Sequence, residues 1–376
     1  MGGSSTQIVN LVVGFFTGLS SGASVIIAQF YGARDERSVQ ESLHTAYAFS
    51  ILGSIAISIP GILLAPHLLR WMNTPAELIR DSALYLRIYF AGILFVFIFN
   101  VGSSILRAIG DSKHPLYYLM VCCLLNIILD ILCVVWLDMG VAGAAIATFF
   151  SQAASAALVT RKLMVSGGIL KLSLKQLRFH ANVLRSLLRI GMPAGFQSIM
   201  YSLSNVIIQS ALNSFGTDTV AAWSVYGKLD AVFWMISGAI GISITTFVGQ
   251  NFGARKYGRV KKSVRVCLGI DALISGVLVI FFLLLRNPLF RIFTNDADVI
   301  RIGCEMMALI TPCYMFFICI EVLSGALRGI GDVIIPTLIT LGGVCLFRIL
   351  WLFGALQIRP TVNAIILSYP VTWLTT

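Results

Sequence analysis

The chain has 376 residues, 58% of them hydrophobic and 11% charged, with a formal net charge of +11. Soluble domains carry about 25% charged residues, so this composition excludes a soluble globular fold and fits a polytopic membrane protein. The basic surplus does not imply nucleic acid, because the lysines and arginines gather in alternate loops, the pattern that membrane insertion selects.

Charge-poor stretches of the ~20 residues that cross ~30 Å of hydrocarbon recur along the chain. They fall near 5–31, 43–64, 88–106, 116–137, 139–160, 190–217, 219–252, 266–285, 302–327 and 333–358, with an eleventh from about 361 to the end. A segment facing lipid must satisfy its own backbone hydrogen bonds, so spans of this length are helices. Sorted by loop, Arg34, Arg37, Arg107, Lys113, Arg161, Lys162, the bases of 171–189, those of 255–265 and Arg328 share one side. Only Arg70, Arg80, Arg87, Arg286, Arg291, Arg301 and Arg359 share the other. The positive-inside rule makes the first set cytoplasmic and places a multi-pass protein in the cell (inner or plasma) membrane. The eight cysteines lie in or beside apolar spans without CxxC or Cys/His spacing, and read as small core residues.

Two motifs occur twice. Gly-Ala-Arg at 32–34 returns at 253–255, and LRAIGDSKHP at 106–115 returns as LRGIGDVIIP at 327–336. Arg34 to Arg107 and Arg255 to Arg328 are both 73 positions, so the copies share one offset, 255 − 34 = 221. A unit this long is no solenoid repeat but a duplicated multi-helix lobe. Six spans separate Arg34 from Arg255, and an even number keeps both copies in one orientation. The expected fold is therefore an all-α membrane protein of two homologous six-helix lobes, related by a pseudo-two-fold along the membrane normal. About ten spans are complete and one is truncated. Parallel repeats of this kind build transporters with a site near the midplane.

The expected organisation is an N-terminal lobe at 1–160, a basic cytoplasmic linker at 161–189 and a C-terminal lobe at 190–376. Span 190–217 has no counterpart after Met1, which predicts a twelve-helix pattern lacking its first helix and most of its last. The linker, basic with interleaved leucines, predicts an interfacial helix acting as a tether. In the repeated motifs, Arg34, Arg107, Asp111, Arg255, Arg328 and Asp332 read as structural. Gly ends a helix, Asp accepts hydrogen bonds in the turn, and Pro115 or Pro336 opens the next helix.

Charges within apolar spans are costly and mark function. Asp130, in LLNIILDILCV, has Asn126 four residues earlier on the same helix face. Thr148 lies on the next helix, and it and Asp130 are each about nine residues from the intervening turn, hence ~13 Å below it. A carboxylate, an amide oxygen and a hydroxyl at one depth suit a proton or a small hard cation such as Na⁺; packing alone is the alternative. The second copy holds Phe347, Trp351 and Tyr369 at the matching positions. Glu321, matching Asn100, either carries a proton, meets a cationic substrate or bonds to Arg328, seven residues on. Gln197, Tyr201, Asn205, Gln209 and Asn213 recur every four residues, a stripe that suits a water-filled cavity. Lys228 and Asp230 point apart, and Asp271 and Arg348 have no identifiable partner in the sequence.

The pattern resembles the multidrug and toxic compound extrusion (MATE) family. The matching features are AQFYGARD with GQNFGARK, LRAIGD with LRGIGD, LNIILD with GVAGAAIAT, and GMPAGFQS. Resemblance implies a cation-coupled antiporter that expels amphipathic, usually cationic compounds by alternating access. In members with a first-lobe cation site the ligands match Asn126, Asp130 and Thr148, joined by an acid on the first helix. Other members place a carboxylate in the seventh helix, where this sequence has no acid before Asp218, and the first-lobe site is therefore favoured. The implied partners are small amphipathic cations and the lipid bilayer, around a monomer with no cofactor beyond H⁺ or Na⁺ as coupling ion. A lipid-linked oligosaccharide flippase of the same superfamily is the alternative transporter. An intramembrane enzyme is disfavoured, because all four histidines lie at span ends or in loops.

Overall fold

The computed structural model describes residues 3–71, 76–358 and 360–376, so Arg359 lies outside the described residues. These residues form helices and no strands. In order they are α1 (Gly3–Ala33), α2 (Glu36–Trp71), α3 (Ala76–Ala108), α4 (Lys113–Asp130), α5 (Gly140–Val165) and α6 (Ala181–Asn213). After these come α7 (Thr217–Gly253), α8 (Tyr257–Arg291), α9 (Ala297–Ile310) and α10 (Tyr314–Ile330). The chain closes with α11 (Ile334–Thr340), α12 (Phe347–Ile358), α13 (Val362–Ile366) and α14 (Ser368–Thr375). Nine helical segments among the described residues are long and apolar enough to cross a bilayer. Helix α6 is as long as the others but falls short in hydropathy because of its polar stripe.

The duplication reaches the hydrogen bonds. Helices α2, α3 and α4 start at 36, 76 and 113; α8, α9 and α11 start at 257, 297 and 334, each 221 residues later (257 − 36, 297 − 76, 334 − 113). Arg34 and Arg255 both adopt left-handed backbone, with φ of 60° and 56°, a conformation that costs a side-chain-bearing residue ~1–2 kcal/mol. It is compensated by the same capping bonds in both copies. Asp35 N–H donates to Phe30 O at 3.0 Å and Lys256 N–H to Asn251 O at 2.8 Å. Gly110 and Gly331 repeat the device at the later motif, with φ of 95° and 93° and with Asp111 and Asp332 N–H donating to Leu106 and Leu327 O, both at 3.0 Å. These are Schellman closures. Asp111 then caps α4 through His114, as the motif predicts. Asp35 caps α2 through the hydroxyl and N–H of Ser38, and those two bonds hold its carboxyl below the ordinary value. One difference between the copies is Pro312, which lies in a short 3₁₀ turn separating α9 from α10; α3 runs unbroken.

The chain separates into two units, Met1–Ile199 and Met200–Thr376, with the division inside α6. In the first unit α1 and the start of α6 meet in antiparallel fashion through glycines. A Cβ on Gly14 would lie 2.3 Å from Ser198 Oγ, one on Gly18 2.5 Å from Gly195 N, and one on Gly22 2.6 Å from Leu187 O. Small residues at four-residue spacing let backbones approach closely, the means by which helices associate where hydrophobic driving force is absent. In the second unit the core gathers around Phe233, Tyr314, Phe317, Tyr369 and Trp373.

The linker corrects the expectation. Residues 166–180 form no interfacial helix, only two short 3₁₀ turns, Gly168–Leu170 and Leu174–Gln176. Gly168 turns with φ of 69°, and beyond it the sequence alternates apolar and polar, so Leu170 and Leu172 are buried while Lys171 is exposed. That is an extended period, not a helical one. Nor is the linker a free tether. Gln40 Nε2 donates to Ile169 O at 2.6 Å, Ser173 N–H to His44 Nε2 at 3.1 Å, and His180 N–H to Thr45 Oγ1 at 3.2 Å, fastening it along α2.

Gly18→Ala is expected to destabilise the protein by about 1–3 kcal/mol in detergent, because backbone must yield to the added methyl. Gly238→Ala, where a Cβ would meet open space, is expected to be neutral or to gain up to about 1 kcal/mol from helix propensity. Equal shifts in thermal unfolding for the two would show that α1 and α6 do not pack through these glycines.

Candidate functional site

Asp130 closes α4, and the chain continues as a π-helical turn, Ile131–Trp136. Such turns break the hydrogen-bond ladder and recur at functional positions. Just beyond it α5 comes very close: a Cβ on Gly143 would lie 3.0 Å from the Cys133 carbonyl. Asp130 Oδ1 and Asn126 Nδ2 are both buried, and neither has a hydrogen-bond partner. Thr148 donates its hydroxyl to Ala144 O at 3.0 Å, leaving oxygen lone pairs uncommitted. The three predicted ligands thus make no hydrogen bond with one another. Tyr85 of α3 lies within range of the Asp130 charge. Among the described residues no three His, Cys, Asp or Glu side chains cluster as metal ligands.

The other predicted positions divide. Glu321 is committed to Arg328, whose guanidinium donates at 3.1 Å; its counterpart Asn100 donates to Val96 O at 2.8 Å. Arg107 donates to Ser104 Oγ at 3.2 Å. Along the α6 stripe Gln197 is buried, Tyr201 half-buried near Arg348, and Asn205 exposed. Gln209 donates to Asn213 Oδ1 at 2.9 Å, so the stripe's end satisfies itself.

Sequence reasoning missed Asp230. Its Oδ2 accepts from Trp234 Nε1 at 2.6 Å, and its Oδ1 accepts from the hydroxyls of Tyr314, in a short bond, and Tyr226, at 3.4 Å. The two tyrosine hydroxyls are 3.0 Å apart. Aromatic rings enclose the group: Phe233 stacks on Tyr314 at 3.8 Å, and Phe317 lies 4.5 Å from Trp234 and 5.5 Å from Trp373. The signal was present as Tyr226, Asp230 and Trp234 at four-residue spacing, one helix face. The two charges without sequence partners also find them. Asp271, fully buried, accepts from Ser275 at 3.0 Å and Ser237 at 3.5 Å. Arg348 donates to Thr372 at 2.9 Å and lies over the Tyr369 ring at 4.0 Å.

Repeated helical halves with isolated polar groups inside apolar spans suit a membrane transporter. The comparisons define the family. The chain belongs to the MatE family, whose model matches residues 2–132 and 193–353. It is similar to "Probable multidrug resistance protein YoeA" of Bacillus subtilis, 29% identical over 338 residues, covering 88% of this chain and 73% of that protein. "Probable multidrug resistance protein YpnP" of the same organism is 31% identical over 329 residues, covering 87% and 73%. The fold matches the solved structure of an outward-facing multidrug resistance MATE family transporter of the MOP superfamily. That match has a TM-score of 0.91 at 20% identity and covers 98% of this chain and 82% of that one.

Tyr314→Phe removes one of three donors to Asp230 and is expected to cost about 1.5–3 kcal/mol of stability, the range for a hydrogen bond to a charged group. Tyr226→Phe removes the longer bond and should cost less. Chemical unfolding of both variants tests the order, and a reversed order would contradict the arrangement around Asp230.

Proposed function

We propose that this protein is a cation-coupled antiporter that exports amphipathic organic cations by alternating access, with H⁺ or Na⁺ taken up at Asp130. The observation that carries the reading is the pair Asp130 Oδ1 and Asn126 Nδ2, buried and without partners. A carboxylate in an apolar span is costly unless neutralised, paired or hydrogen-bonded. Binding H⁺ or Na⁺ removes or balances its charge, relieves the desolvation cost and weakens attraction for a cationic substrate. Substrate and coupling ion then disfavour each other, the negative coupling that exchange requires. Thr148 and Asn126 would supply neutral oxygens to a bound ion. Polar positions offered to substrate are the stripe of α6, Glu321 and Asn100, each taken within its own unit. The relatives, probable multidrug resistance proteins, favour drug efflux over lipid flipping. The basic loops and the linker are assigned to the cytoplasm by the positive-inside rule.

The test is efflux of a cationic dye from vesicles holding the protein, under an imposed pH or Na⁺ gradient, with Asp130→Asn beside the wild type. A gradient is expected to drive efflux in the wild type and not in the variant, and the gradient that works names the ion. Normal coupling in the variant would overturn the Asp130 assignment. Dye that no gradient moves would overturn drug export itself.

A further inference from the structure

We propose that the kinked end of α8 and the adjoining α9 form a binding site for the phosphate of an anionic lipid headgroup. The inference is independent of Asp130. Pro288 lies within α8 and cannot donate to the carbonyl four residues back, and the helix bends at Leu285, with φ of −103° and ψ of 15°. The bent end is fixed against α9: Phe290 is fully buried, and a Cβ on Gly303 would lie 2.0 Å from its ring. Between the two helices lies a cavity of about 540 Å³ lined by Arg286, Asn287, Arg291, Asn295, Arg301 and Glu305, among others.

The charges in this cavity are unequally committed. Arg301 is shared between Asp298 at 3.3 Å and Glu305 at 3.4 Å, so the one acid on the lining is already held. Among the described residues Arg286 and Arg291 make no ion pair. Asn287 Oδ1 accepts from Cys304 Sγ at 3.3 Å, which leaves its amide nitrogen to donate. Two uncommitted guanidinium forks with a neighbouring amide present the many N–H donors that a phosphate accepts in bidentate fashion.

The surroundings identify the source of that phosphate. Leu284 and Ile292, flanking the arginines on α8, are 75% and 72% exposed. In a chain built of membrane spans, such side chains face acyl tails. The arginines therefore lie at headgroup level on the non-cytoplasmic side, where a guanidinium fork can hold a lipid phosphate. A phospholipid can place its phosphate on the arginines and its chains along Leu284 and Ile292. A soluble phosphate gains nothing from that apolar rim.

The test is native mass spectrometry of the purified protein titrated with phosphatidylglycerol or phosphatidylcholine. The wild type should bind one phosphatidylglycerol in preference to phosphatidylcholine. At up to ~1 kcal/mol per exposed ion pair, about fivefold each, Arg286→Gln with Arg291→Gln should weaken that binding by up to about 25-fold. The double Lys variant, which keeps both charges, should retain most of it. Undiminished binding in the Gln variant overturns the site. Displacement of the lipid by inorganic phosphate in tenfold excess over lipid would instead assign the cavity to a soluble anion and overturn the lipid reading.

Discussion

A charge carried into an apolar helix bundle must be given a partner there, because water cannot supply one, and most of the polar structure of this protein follows from that requirement. Glu321 meets it with Arg328, an ion pair formed along one helix face. Asp271 meets it with two serine hydroxyls. Asp230 meets it most fully, with two tyrosines and a tryptophan. Arg348 combines a threonine hydroxyl with the face of Tyr369, a cation–π contact that gains strength when desolvated. Asp130 is the exception, with an oxygen buried and unbonded.

The duplication supplies the scaffold, and divergence between the copies supplies the chemistry. Helix starts and Schellman turns recur at the offset of 221, down to the left-handed arginines. The acids inside the apolar spans do not recur. At that offset Asp130 faces Trp351, Asp230 faces Val9, Asp271 faces Ser50 and Glu321 faces Asn100. Turn geometry is demanded equally in both copies, since each chain reversal must satisfy the same orphan carbonyls. A buried charge is demanded by neither copy's folding, and survives only where its own lobe has furnished partners or a use.

This division also decides what the sequence makes legible. The fold could be read because its determinants are local: apolar runs of bilayer length, Gly and Asp at helix ends, and two motifs in register. The close approach of α1 and α6 was less accessible, although GMPAG and the glycines at 14, 18 and 22 share a four-residue spacing, since nothing local says which helices meet. The linker misled because basic residues with interleaved leucines suit an amphipathic helix as well as an extended strip; Gly167 and Gly168, with the alternation after them, favour the strip. Asp230 is not legible from its neighbours, because Lys228, two residues away, points elsewhere and the decisive donor, Tyr314, lies 84 positions along the chain. The π turn after Asp130 has no sequence signature in this chain.

Asp130 and Asp230 have opposite settings within the spans. Both oxygens of Asp230 already accept from indole or phenol groups on rigid aromatic side chains, so an arriving ion would have to displace donors that the packing holds in place. Such a carboxylate is suited to fixing α7 against α10 and to lending negative potential to the aromatic cluster. Asp130 has the opposite setting. Its helix gives way to a π-helical turn just after it, and its Oδ1 meets no donor. The proposed coupling needs a group whose bound and free forms both persist, a demand that an acid locked by three donors meets poorly and that an unsatisfied one meets better.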